Sequence, residues 1–91
     1  MIIYKAINLI NSKVYIGATK NSLEQRKNGH FKGAFKRNGT TYFCRALRKY
    51  GFENFKWEII DTSDNYKDLM KKENYWVKYY NSFGKNGYNS C

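Results

Sequence analysis

The sequence predicts a small α+β domain with the element order β-β-α-α-β-α. Three observations carry that reading. Two short β-branched, apolar runs, Ile2 to Ile10 and Lys13 to Thr19, meet at the turn-forming stretch Asn8-Leu9-Ile10-Asn11-Ser12. A third run, Phe55-Lys56-Trp57-Glu58-Ile59-Ile60, alternates apolar and polar residues. Between and after these runs lie stretches that begin with capping residues and repeat apolar side chains at three and four. A hairpin and a third strand with helices packed around them make a mixed-layer domain.

The hairpin comes first. Strand side chains alternate faces, so an even-length loop puts Tyr4 and Tyr15 on the same face, and an odd loop or a bulge separates them. Two phenols on one face are either a packed aromatic pair or the floor of a site. A first helix starts at Asn21-Ser22, where Asn21 with Glu24, or Ser22 with Gln25, fits a capping box. Its apolar positions Leu23, Phe31 and Ala34 are sparse, and Gly29 weakens it by roughly 1 kcal/mol relative to Ala. The pattern ends before the turn dipeptide Asn38-Gly39. Thr40 or Thr41 caps a second helix, Tyr42 to Tyr50, with Phe43, Leu47 and Tyr50 as its stripe and Gly51 at its end. The third strand shows Phe55, Trp57 and Ile59 on one face. Asp61 to Asn65 is a polar turn, with Ser63 or Asp64 as the next cap. The last helix runs from about Tyr66 to Tyr80 on a stripe of Leu69, Trp76, Val77 and Tyr80, and Glu73 sits on that stripe. The turn Asn86-Gly87 leads to Tyr88-Asn89.

With 91 residues the chain is expected to be one domain, 1–91, with a modest core. Net charge is +10, from seventeen Lys and Arg against seven Asp and Glu. So basic a domain most often meets a polyanion, nucleic acid before anionic membrane. The excess is concentrated: Lys20 to Lys49 holds nine basic residues and one acid, Glu24. The two cysteines, Cys44 and Cys91, give neither a disulfide framework nor a zinc cluster, so a reducing, intracellular setting is expected. No run approaches eighteen apolar residues and no signal peptide is visible, so no membrane partner is expected.

Glu73 is the most informative residue by position. A carboxylate on an apolar stripe needs a cation, either a Lys or Arg of the chain or a bound metal, and the pattern alone favours a structural ion pair. Arg26 and His30, spaced i,i+4, share a helix face. Arg offers a planar, permanently charged fork for phosphate oxygens, and His30 is the one side chain that ordinarily titrates near neutrality. The plainer reading of that pair is a solvated face beside a partly buried ring. A tyrosine serves as base only where cations favour its phenolate or a neighbour relays its proton. Asn89 can orient a phosphate or cap a turn.

Taken as a set and in order, these residues resemble the GIY-YIG endonuclease domain, across about Ile2 to Asn89. Ile2-Ile3-Tyr4 and Tyr15-Ile16-Gly17 lie in the paired strands, Arg26 and His30 on the next helix, Glu73 on a late helix, and Gly87-Tyr88-Asn89 at the end. The glycine of the family's first motif is Ile2 here, and its role is one of backbone rather than chemistry. Within the family the chain resembles the phage and intron homing endonucleases. The resemblance implies a three-stranded antiparallel sheet flanked by helices. It implies a DNA endonuclease using one divalent ion per site, Mg2+ or Mn2+, held chiefly by Glu73, and no small-molecule cofactor. Water attacks the phosphate in line, with Tyr4 as general base and Tyr15 as second choice. Tyr15 and His30 support by hydrogen bonding or relay, Arg26 stabilises charge on the phosphoryl oxygens, and Asn89 orients the phosphate or the C-terminal edge of the site. Lys20, Lys27, Lys36, Arg37, Arg45 and Arg48 are the candidate contacts to the DNA backbone. The rival reading is a non-catalytic nucleic-acid-binding domain on the same scaffold, and a third is a basic interaction module, which leaves Glu73 unexplained. Oligomeric state, and with it nicking against double-strand cleavage, is not written in the sequence.

Overall fold

Strand β1 (Ile2–Asn8) is the middle strand of the sheet. In the computed structural model, which describes residues 1–89, it pairs antiparallel with β2 (Val14–Thr19) on one side and β3 (Phe55–Thr62) on the other. The first strand stops two residues short of the expected Ile10. The Asn8 side chain accepts the Ile10 N–H, the Ser12 N–H reaches the Asn8 carbonyl, and Ser12 takes a left-handed φ of 66°. The Asn8 N–H bonds the Lys13 carbonyl, so the connection is the even-length Leu9–Ser12. Register follows: Tyr4 lies opposite Gly17 and Ala6 opposite Tyr15, which puts both tyrosines on one face. Ile2, at the position of the family's glycine, sits in regular pairs with Thr19 and Thr62.

Helix α1 (Leu23–Phe35) uses the Ser22–Gln25 capping box, while the Asn21 N–H turns back to Thr19 Oγ1. Helix α2 (Tyr42–Tyr50) is capped by Thr41 and ends at Gly51, whose φ of 90° a side chain would strain. Helix α3 (Tyr66–Tyr80) is capped by Asn65, not by Ser63 or Asp64. Ser63 is buried, with its hydroxyl donating to Asp68 Oδ2 and to the Asn65 carbonyl, so it is not free to cap. Two short 3-10 turns, Phe52–Asn54 and Gly84–Asn86, were invisible to the periodicity arguments because each is a single turn.

The sheet separates two cores. On one face α1 and α2 bring Ala34, Phe43, Ala46 and Leu47 against Ala6 and Phe55. On the other, Leu69 of α3 packs on Ile3, Val14 and Ile16. Burial of each such Leu, Ile or Phe side chain is worth about 1.5–3 kcal/mol. Phe55, Trp57 and Ile59 do share a face, opposite Asn8, Ala6 and Tyr4. Ile59 nevertheless stays 51% exposed. A bulge follows, because the pairing jumps from Tyr4–Ile59 to Ile3–Asp61. The extra residue, Ile60, packs with the α3 core, and Asp61 accepts a hydrogen bond from Trp76 Nε1 of α3. Cys44 is a free thiol, and Cys91 lies outside the described residues. Among the described residues no helix is long and apolar enough to cross a membrane.

Candidate active site

The two tyrosines project from the sheet toward α1. Their ring centroids are 6.2 Å apart, and His30 stands edge-on to both, 6.0 Å from Tyr4 and 5.3 Å from Tyr15. The i,i+4 spacing works as expected: Arg26 Nε donates to Tyr4 Oη at 3.1 Å, and Tyr4 Oη lies 2.7 Å from His30 Nε2. Phe43 stacks flat on Tyr15 at 4.2 Å, and Trp57 stacks on Tyr4 at 6.2 Å. Tyr4 has no exposed surface.

Gly17 is what lets the Tyr4 ring lie there. A Cβ on Gly17 would come within 2.2 Å of both Tyr4 Cζ and Oη. The glycine after Tyr15-Ile16 is therefore a space requirement of the opposite tyrosine.

Burial dominates the electrostatics. It pushes the Tyr4 phenol well above its ordinary value, with Tyr15 adding to the rise and Arg26 opposing it. The Tyr15 phenol is also raised by burial, pulled back by Arg26 and pushed up again by Glu73. Burial, helped by the Arg26 charge, lowers His30 to about 4. At pH 7 His30 is neutral, and in the tautomer that leaves Nε2 without a hydrogen it accepts there from the Tyr4 hydroxyl, which itself accepts from Arg26. The chain of donors runs Arg26 to Tyr4 to His30.

Glu73 reaches the site from the opposite core. Helix α3 packs on the far face, and β2 is an edge strand, so Glu73 meets Tyr15 around that edge. The two residues line a cavity of about 560 Å³ together with Thr41, Phe43, Tyr88 and Asn89. The structural ion pair favoured by pattern is not formed: among the described residues, Glu73 has no salt bridge and no hydrogen-bond partner. Burial raises its carboxyl above the usual range. A half-buried, uncompensated carboxylate on a cavity wall fits a cation. No group of three or more His, Cys, Asp or Glu able to hold a metal exists among the described residues. An ion at Glu73 would therefore have to complete its shell with oxygens that the described residues do not supply.

Asn89 is tied to the edge of β2. Its Oδ1 accepts from the Ile16 N–H at 2.9 Å and the Ser82 hydroxyl at 2.7 Å, and its Nδ2 donates to the Ile16 carbonyl at 2.8 Å. Of the basic residues, Lys27 leans over Trp57 at 5.9 Å beside the tyrosines. Arg48 donates to the Ala34 carbonyl and so joins α2 to α1. Arg45 lies over the Tyr42 ring, Lys20 is exposed after β2, and Lys36 and Arg37 are exposed after α1. Trp57, Gly17 and Thr41 read from sequence as a strand-face residue, a motif glycine and a helix cap, not as parts of the site. Trp57 shares its strand face with Phe55, but only the pairing with β1 reveals that this is the face of Tyr4.

The antiparallel sheet thus sets two paired tyrosines against an Arg-x-x-x-His helix face, with a lone glutamate brought to the edge of β2 from the other core. The chain belongs to the GIY-YIG catalytic domain family, whose profile matches residues 1–89. It is 37% identical over 89 residues to intron-associated endonuclease 1 of Enterobacteria phage T4, covering 96% of this chain and 35% of that protein. The chain thus spans about a third of the length of that relative. The catalytic domain of the homing endonuclease I-TevI superposes with a TM-score of 0.83 at 34% identity, over 98% of this chain and 96% of that one. A mutant of the I-TevI catalytic domain gives 0.82 at 35% identity, over 96% of this chain and 89% of that one. The family and the α+β fold expected from the sequence both hold.

Proposed function

We propose that the chain is the catalytic module of a divalent-metal-dependent DNA endonuclease that hydrolyses a phosphodiester by in-line attack of water. One observation carries this reading: the Arg26–Tyr4–His30 hydrogen-bond chain stands on one side of β2, and an unpaired Glu73 reaches round its edge to Tyr15.

Arg26 holds Tyr4 through Nε and turns its guanidinium charge to the phosphoryl oxygens, where negative charge develops. Tyr4 is neutral at rest, since burial holds its pKa high. In this reading it serves as base by relay, its own proton moving to His30 Nε2 as Oη takes one from water; because the ring has no exposed surface, that water must reach it past Tyr15, which lines the cavity. Glu73 would hold the ion, Mg2+ first and Mn2+ second. When bound, such an ion polarises a phosphoryl oxygen and lowers the pKa of a coordinated water. Asn89 keeps the β2 edge, and with it Tyr15, in place beside Glu73. One observation favours a second reading with Tyr15 as base: Tyr15 lines the Glu73 cavity and Tyr4 does not.

The test is nicking of supercoiled plasmid DNA with Mg2+. Wild type nicks; EDTA, Glu73→Ala and Arg26→Ala abolish nicking, and the Arg26 variant still binds DNA. Tyr4→Phe abolishes nicking and Tyr15→Phe retains a measurable rate; the reverse order assigns the base to Tyr15. Equal nicking by wild type and Glu73→Ala would overturn the assignment.

A further inference from the structure

A second cavity, of about 350 Å³, lies between α2 and the C-terminal segment. Four cations line it, Lys13, Arg45, Lys49 and Lys85, with the rings of Tyr42 and Tyr50 among them and no carboxylate. The salt bridges among the described residues engage only Lys5 and Lys72, so none of the four cleft cations has an acidic partner among those residues. The rings steer two of them: Arg45 lies 5.4 Å from the Tyr42 centroid and Lys49 5.3 Å from that of Tyr50. Like charges gathered without a counter-ion repel one another, and a bound anion removes that cost.

The cleft adjoins the Glu73 cavity. Tyr88 belongs to the walls of both. Thr41 lines the Glu73 cavity and also a shallow depression shared with Tyr42 and Arg45, which in turn line the basic cleft. A chain of phosphates leaving Glu73 over the start of α2 runs straight into the four cations.

We propose that Lys13, Arg45, Lys49 and Lys85 form a phosphate-binding track for the DNA strand flanking the scissile phosphate. The proposal rests on the nuclease reading above for its direction and adds the path of the strand. Its role is binding, so it acts on KM and on salt dependence, not on the chemical step.

The experiment compares Lys49→Glu/Lys85→Glu with Lys56→Glu/Lys71→Glu. The two pairs change net charge equally, all four lysines are exposed, and Lys56 and Lys71 line neither cavity. Binding of a short fluorescent DNA duplex is measured by anisotropy in EDTA over a salt series, and plasmid nicking gives kcat and KM. The cleft pair is expected to weaken binding about tenfold or more, to flatten the salt slope by about 2, and to raise KM with kcat nearly unchanged. The control pair leaves the slope as in wild type. If both pairs behave alike, or the cleft pair lowers kcat at constant KM, the track is wrong. If wild type fails to nick while the cleft pair still flattens the slope, the nuclease reading falls and the track stands.

Discussion

Replacing Gly17 with alanine tests the site through its packing. The added Cβ would sit 2.2 Å from Tyr4 Cζ and Oη, where an ordinary contact begins at 3.4 Å. The ring has to retreat by about 1 Å. It has little room, because Tyr4 is wholly buried and stacked on Trp57. Its hydroxyl is fixed by bonds of 2.7 Å to His30 and 3.1 Å to Arg26, and a shift of that size does not keep both. Overpacking costs about 1–3 kcal/mol, and losing a hydrogen bond adds about 1. The stiffer unfolded chain of alanine returns about 0.4–1. The net expectation is about 1–3 kcal/mol, or a Tm lower by roughly 4–24 °C for a domain of this size. Urea and thermal melts give the stability, and plasmid nicking falls much further than stability does. In a Tyr4→Leu background the same glycine change costs less, because the clashing phenol is gone. A Gly17→Ala variant of wild-type stability with full activity would refute the argument that Gly17 exists to seat Tyr4.

Three further outcomes follow from the electrostatics and the edge. Glu73→Gln raises Tm at neutral pH while abolishing cleavage: the folded carboxyl pKa is raised, so the contribution of the protonated form is present at acid pH and lost as pH rises through that folded value. The difference in Tm vanishes once both folded and unfolded states are protonated. His30, lowered to about 4, gives the opposite slope: the unfolded chain takes the proton first, so stability falls as pH drops from about 6.5 toward 4. His30→Gln flattens that part of a urea-melt series, and an unchanged slope would contradict the burial argument. Asn89→Ala strips partners from the Ile16 N–H and carbonyl and is expected to cost about 1–3 kcal/mol by equilibrium unfolding.

Much of this was legible in sequence because it is local. Helix starts are written in cap residues, and Ser22–Gln25 and Thr41 acted as their types dictate. The Arg26–His30 pairing is a property of one helix turn and needed no tertiary information. What failed was long-range. Whether Glu73 found a cation depended on which lysines α3 met, and Lys72, its neighbour, went to Asp61 and Asp68 instead. The bulge at Ile60 breaks the alternation of β3 where the partner strand, not the sequence of β3, sets the pairing. Asn89 is a terminal amide until the exposed rim of β2 is known to lie beside it.

That rim has a consequence for how the protein keeps to itself. An outer strand with open amides and carbonyls is a template on which another chain can extend the sheet. Here the Tyr88 N–H covers the Val14 carbonyl and the Asn89 amide covers both backbone groups of Ile16. Two residues of the chain's own tail thus imitate a neighbouring strand at the places where a foreign one would attach. The contact that fixes Asn89 therefore also closes the outer edge of β2 at Val14 and Ile16 to a foreign strand.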